Sequence, residues 1–324
     1  MALFFANQPA EAEVQNLPSY GVGLFWAFKN ATQVELHSNH ISSKVFVPAW
    51  SAGQSKAKLF ELTQTSSDAI LTLDLSVNGT NGLDTGSVAA QKFYNIRMIS
   101  KADGSDVALL ATLNEADPNL PAGYSNGFVS DVIWGVSCCT DLAGGSTYDD
   151  ISPFMNYAPG VCAYGGGHKA AAGPSSAHKV LTDGAATSST AVDLSYLAPA
   201  PVAGTARSAR GTISLYVQGE NDDSTSQNAY IVYSFDGRAD TDNNVSHSNL
   251  FQFQKLDNAA GEGGKDQTVT INFPNAVAQT DSGTNMFGSY SAQTGTISNI
   301  LQYKWSGTAS CKLNIWVAGW TLDG

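Results

Sequence analysis

Charge is scarce in this chain. Asp, Glu, Lys and Arg together make up 14% of its 324 residues, against about 25% in ordinary soluble domains. Gly, Ser, Thr, Asn and Ala fill the surface instead, a composition that suits dense β structure with many turns and extensive subunit contact. Basic residues are the scarcer of the charged set: 16 Lys and Arg face 28 Asp and Glu, a net charge of −12 with a sequence pI of about 4.6. Such a surface repels polyanions, so no nucleic-acid partner is expected and an outward-facing role is favoured. No apolar run approaches the roughly 18 residues of a membrane helix, so membrane insertion is not expected. The opening Met1 to Ala6 has no basic residue and too short an apolar run for a signal peptide, which predicts synthesis in a reducing cytoplasm. The sequons at Asn30, Asn78 and Asn244 carry little weight without secretion.

Cysteine is rare too, with four residues: Cys138, Cys139, Cys162 and Cys311. Neighbouring Cys138 and Cys139 on a strand point to opposite faces, so a bond between them would be strained, and buried free thiols are expected. Helical periodicity is missing over any window of about ten residues, and no repeat of about 20–50 residues is visible. A hydrophobic fraction of 43% still suffices for packed cores. The length suits two domains of ordinary size.

What the chain does contain is two-residue alternation, organised around Asn78 to Tyr124. Before it, Leu71, Leu73, Leu75 and Val77 alternate with Thr72, Asp74 and Ser76, the pattern of a half-buried strand over 70–77. Asn78-Gly79 and Asn81-Gly82 then break the strand, because Asn and Gly accept the positive φ of tight turns. Asp84 is expected to fold its carboxylate onto the backbone N–H groups near Gly86 and Ser87. Tyr94, Ile96 and Met98 resume the alternation, and 107–113 supplies another strand. Pro118 and Pro121 keep its exit extended, while Gly123 bends the backbone so that Tyr124 can lie back on the sheet.

In chain order, residues 1–19 read as an N-terminal arm with an apolar tip, Phe4 and Phe5, that docks on a neighbour or starts the fold. Residues 20–137 read as a first β-sandwich domain. Its strands fall at 23–28, 33–37 (with a turn at Asn30), 45–50 and 59–63, and Val132, Trp134 and Val136 share one face of a closing strand. Pro48 suggests that its strand lies at an edge. Residues 138–180, rich in Gly, Ala and Ser, read as connecting loops with some packed aromatics. Residues 181–324 return to alternation at 213–217, 269–273, 301–305 and 313–317, and read as a second sandwich. The expected fold is therefore all-β, two jelly-roll-like β-sandwich domains with a Gly/Ala-rich connecting region.

Reactive constellations are sparse. Asp240-Thr-Asp242-Asn-Asn244 starts like a Ca²⁺ loop, but Val245 and Phe251 stand where the loop needs Gly and Glu, so a polar turn is expected there. Asp222-Asp223 reads as a solvated turn. His37 and His40, three apart, face opposite sides of a strand, and His168 and His178 lie in a Gly-rich stretch without a Cys at ligand spacing. No nucleophile elbow, phosphate-binding loop or dinucleotide fingerprint is present. Neither a cofactor nor a catalytic residue is expected. The six tryptophans could stack on sugars, but on alternating strands core or subunit packing is the commoner fate.

Some of these residues resemble a known pattern. Gly82-Leu83-Asp84-Thr85-Gly86-Ser87, the Phe93-Tyr94 strand start, and Leu120-Pro121-Ala122-Gly123-Tyr124 resemble a recurrent motif of tailed-bacteriophage virion proteins: tail fibre, head fibre or decoration proteins. Gly23-Leu24 with Asn30-Ala31-Thr32 resembles the start of that module, and the run from Leu313 through Gly319 and Trp320 to Asp323 its closing strand. The likeness covers roughly residues 20–137 and 180–324 of the sequence. It implies a non-enzymatic structural protein on the outer surface of a phage particle, a homo-oligomer, with a trimer favoured. Its partners would be other capsid or tail proteins and a host-surface glycan. The alternative it raises is a glycan-binding adhesin or a polysaccharide depolymerase of a tail fibre. Trp316, a bulky ring that shares the outer face of the last strand with polar Lys312 and Asn314, is the expected interface residue.

Overall fold

The computed structural model describes residues 23–39, 44–51, 57–114, 117–130, 134–142, 147–158, 160–164, 178–188, 190–194, 196–198, 210–221, 229–233, 251–252, 265–273, 283–285, 288–290, 301–305 and 311–323. The arm at 1–19, the Asp222 and Asp240 turns, His40 and His168 lie outside the described residues. All regular structure among the described residues is β. Two compact units form, dividing at Cys162/Ala163.

The first unit contains β1 (Leu24–Phe28), β2 (Gln33–Ser38), β3 (Lys44–Ser51), β4 (Ala57–Thr63), β5 (Leu71–Asp74), β6 (Gly82–Leu83), β7 (Lys92–Ser100), β8 (Val107–Thr112), β9 (Phe128–Ser130), β10 (Trp134–Thr140), β11 (Asp150–Ile151) and β12 (Phe154–Ala158). β13 (Val161–Tyr164) spans the division. The strands β1, β2 and β5 form one antiparallel sheet. A larger sheet runs β11-β10-β7-β9-β3-β4, with β8 on the other side of β7. β7 pairs first with β10 and then with β9 along one edge, and Ser130 Oγ accepts the Met98 amide at 2.8 Å where the partners change.

The alternation does what the sequence predicts at Tyr94, Ile96 and Met98, all buried. It also buries Phe93, Ile99 and Ser100, because β7 is covered on both faces. Trp26 stacks on Trp134 at 6.3 Å, and Phe154 meets Trp134 at 6.0 Å and Phe28 at 6.4 Å. This aromatic series carries much of the core burial, since each ring removes about 150–250 Å² from water.

Three expectations need correcting. The strand over 70–77 stops at Asp74, whose carboxylate accepts both the amide and the hydroxyl of Ser76 and turns the chain. Leu73 and Leu75 are buried, but Val77 is 47% exposed. Pro48 is not on an edge strand, because β3 lies between β9 and β4. Proline is tolerated there because the β9 register begins only at Ala49, so the missing N–H removes no bond to β9. The change of character at residue 138 does not end a strand. β10 continues to Thr140 and is buried throughout, and β11 to β13 lie within the span read as connecting loops.

The second unit contains β14 (Lys179–Gly184), β15 (Thr190–Val192), β16 (Arg210–Asn221), β17 (Ala229–Tyr233), β18 (Phe251–Gln252), β19 (Lys265–Phe273), β20 (Gly283–Asn285), β21 (Gly288–Tyr290), β22 (Leu301–Trp305) and β23 (Cys311–Asp323). β16 is flanked by β19 and β23, and β14 adds to β23. β15, β22, β17 and β18 form a separate sheet, and β20 with β21 a hairpin. β16 and β23 pair antiparallel from Arg210/Asp323 to Asn221/Cys311.

Candidate functional site

The residues singled out in the sequence fall into three places. In the first, Asn81 adopts φ +59° and Gly79 φ +96°, so the two Asn-Gly pairs form the expected left-handed turns. Asn81 also reaches across the sheet. Its amide donates to the Leu109 carbonyl at 2.8 Å, and its Oδ1 accepts the Leu109 amide at 2.9 Å. Gly82 then starts a short parallel pairing with Leu110 and Ala111 of β8. A Cβ at Gly82 would collide with the Val77 carbonyl oxygen, so only glycine fits.

Asp84 does not fold onto Gly86 and Ser87. Its Oδ2 accepts the Thr112 hydroxyl at 2.8 Å and the Asn119 amide at 3.4 Å, while the Asn119 side chain donates to the Asp84 carbonyl at 3.1 Å. The carboxylate therefore joins three segments: its own loop, the end of β8, and the proline-rich exit. Thr85, Gly86 and Ser87 are exposed beyond this junction. Tyr94 is buried, and its hydroxyl accepts the Ala89 amide at 2.9 Å. Burial pushes its phenol above the usual range.

The second place is the Tyr124 corner. Pro121 and Gly123 (φ +84°) deliver Tyr124 onto the sheet as expected, with its amide bonded to the Pro121 carbonyl at 3.0 Å. Its ring packs with Ile99, Ala108 and Leu110. Its hydroxyl donates to Asp106 Oδ2 at 2.6 Å, and burial together with that carboxylate raises the phenol pKa. Leu110 is thus shared: it faces Gly82 in the register and Tyr124 in the core. Sequence reasoning missed Thr112, Asn119, Asp106 and Gly127, where a Cβ would strike the Ser100 carbonyl oxygen. Only Gly127 carried a local signal, the preceding Asn126.

The third place is β23. Leu313, Ile315 and Val317 oppose Gly219, Val217 and Leu215, and Trp320 opposes Ile213. Opposed residues share a face, so these four lie on one face despite the odd spacing between Val317 and Trp320. A bulge makes this possible. Ala318 has no partner between the Leu215/Val317 and Ser214/Gly319 pairs, and the extra residue resets the phase. Trp316 sits on the opposite face, as its neighbours suggest, and is 7% exposed. It packs edge-on to Tyr216 at 5.5 Å, with the Lys179 Nζ 4.9 Å above its ring.

Chemically reactive groups are held quiet. All four cysteines are free and buried, and burial raises the thiols of Cys138, Cys139 and Cys162. Cys139 Sγ lies 3.2 Å from Ser137 Oγ and 3.1 Å from Ser152 Oγ. Both nitrogens of His37 are engaged, one with Glu35 at 3.1 Å and the other with Gln64 at 3.4 Å. His178 stacks on Tyr164, and burial lowers its pKa to about 4. Among the described residues no group of three or more His, Cys, Asp or Glu could hold a metal ion, and no helix is long and apolar enough to cross a membrane. Trp26, Trp134, Trp305, Trp316 and Trp320 are buried, while Trp50 is partly exposed.

These places define a β scaffold whose distinctive residues bond one another. Comparison with family models, with curated proteins and with solved structures finds no match to the chain.

Proposed function

We propose that the chain is a non-enzymatic structural protein of a tailed-bacteriophage virion, a fibre or decoration component displayed on the particle surface. Its two units act as β-sandwich, jelly-roll-like bodies, and it assembles as a homo-oligomer, with a trimer favoured, against other capsid or tail proteins. One observation carries the reading beyond the motif likeness. Asp84, the acidic residue at the centre of the motif, is spent on Thr112 and Asn119, so the motif works as a joint rather than as a reactive group. The low charge content supports extensive subunit contact.

The test is quantitative mass spectrometry and antibody-gold labelling of particles of the phage that encodes the chain. A fixed copy number per particle with surface labelling is expected. Absence from purified particles overturns the reading. Sedimentation of the isolated chain at micromolar concentration should show an oligomer. A glycan array with a reducing-sugar assay distinguishes the adhesin or depolymerase alternative; the burial of most tryptophans favours a negative result.

A further inference from the structure

His178, in the second unit, is 9% exposed, and its Nε2 meets no hydrogen-bond partner among the described residues. Its ring lies against that of Tyr164, 4.4 Å between centroids and 19° between planes. Tyr164 is itself committed: its hydroxyl donates to the Leu197 carbonyl at 2.5 Å and accepts Trp320 Nε1–H at 3.2 Å. The His178 carbonyl accepts the Val317 amide at 2.8 Å. His178 is thereby tied to the end of β13 by its ring and to β23 by its carbonyl, and Tyr164 carries the tie on to the turn at 196–198.

Among the described residues the neighbouring titratable groups offer it no counter-charge. Tyr164 presents a ring face, and Tyr196 donates its hydroxyl to the Lys179 carbonyl at 3.3 Å. Lys179, the next residue, directs its ammonium over Trp316, and Asp183 lies further along β14. On β23, Trp316 (opposite Lys179), Val317 (bonded to the His178 carbonyl) and Trp320 (bonded to Tyr164) do not titrate in this range. Among the described groups burial alone shifts the imidazole, and it does so toward the neutral form. A proton on the ring would create a buried cation. The Tyr164 face attracts cations, but it supplies no acceptor for Nε2–H.

We propose that His178 is an acid-sensitive clasp of the second unit: protonation opens its stack on Tyr164 and frees the Lys179 end of β14 from β23. The inference is independent of the proposed function, since it rests on this unit's packing alone. The folded-state pKa is depressed, to about 4, below the roughly 6.5 of an unfolded histidine. Stability from this group is therefore fully present above the unfolded value, and it is lost as pH falls toward the folded value. Between about pH 7.5 and 4.5 the folding equilibrium of the unit shifts by about 70-fold from this residue alone, at tenfold per pKa unit.

The experiment compares denaturant unfolding of the full chain and of His178→Phe, which keeps a stacking ring but cannot titrate. Wild type should lose about 70-fold more than the variant between these two pH values. Equal pH dependence overturns the proposal. Hydrogen–deuterium exchange on wild type, corrected for intrinsic rate, supplies a second reading that needs no variant. Peptides covering Val161–Tyr164 and Lys179–Gly184 should lose protection at the lower pH while β7 keeps it. Unchanged protection in both peptides overturns the clasp even if His178→Phe does not fold.

Discussion

Thr112 donates its hydroxyl to the carboxylate of Asp84 at 2.8 Å, across 28 residues of chain. The same carboxylate receives the Asn119 amide, so one side chain fixes the spacing of the motif loop, the end of β8 and the proline-rich exit. Asp84→Ala should lower unfolding free energy by about 1–3 kcal/mol, the scale of a hydrogen bond to a charged group with its partners left unpaired. Thr112→Val should cost a similar amount, and the double variant less than the sum, because both remove one contact. Denaturant titrations of the four proteins check this; strict additivity would separate the two residues.

Tyr124 combines a packed ring with a bond to Asp106. Tyr124→Phe keeps the ring and removes the bond, which should cost about 1–2 kcal/mol. Tyr124→Ala also opens a cavity between Ile99, Ala108 and Leu110 and should cost about 3–5 kcal/mol. Thermal melts of the two variants give the comparison.

Ala318 does its work by being an extra residue rather than through its methyl group. Deleting it brings Val317 and Trp320 two residues apart, so plain alternation keeps both on their shared face, whereas a second residue inserted after Ala318 adds a step that the bulge does not absorb and turns Trp320 away. The insertion should abolish folding of the second unit, whereas the deletion should leave it folded and Ala318→Ser, at an exposed position, should stay within about 0.5 kcal/mol of wild type. Near-ultraviolet circular dichroism and the unfolding midpoint distinguish the two outcomes.

Trp316 is buried against Tyr216 beneath the Lys179 ammonium. Trp316→Ala should therefore destabilise the chain itself by about 3–5 kcal/mol, and the loss in melting temperature should be the same across a protein dilution series. A loss that grows at high concentration would instead assign the ring to subunit contact.

The sequence revealed those features that are local. Gly123 and Tyr124 were legible because a positive φ and an aromatic residue are adjacent in the chain. The alternation at Tyr94 to Met98 was legible because it needs only a two-residue period. Asp84 was misread because its partners lie 28 and 35 residues downstream, and no local rule selects them over Gly86 and Ser87. Val77 fits the period of its neighbours, yet the Asp74 turn ends the strand before it. The faces of β23 were legible up to Val317, but a bulge leaves no mark in composition. Burial on both sides of β10, and of His178 in a Gly-rich stretch, depends on what packs over them.

The glycine amides of the tight turns carry one more consequence, for chemical ageing. The chain has three Asn-Gly pairs, Asn78-Gly79, Asn81-Gly82 and Asn126-Gly127, and Asn-Gly is the sequence most prone to deamidate through attack of the glycine nitrogen on the asparagine side chain. In the folded chain all three nitrogens are occupied: Gly79 donates to Leu83 at 2.8 Å, Gly82 to Gly79 at 3.1 Å, and Gly127 to Tyr124 at 2.8 Å. The Asn81 side chain is held as well, by the Leu109 amide. The hydrogen bonds that shape the turns therefore keep three latent sites of covalent decay closed, and the lifetime of these asparagines is set by how often the turns open.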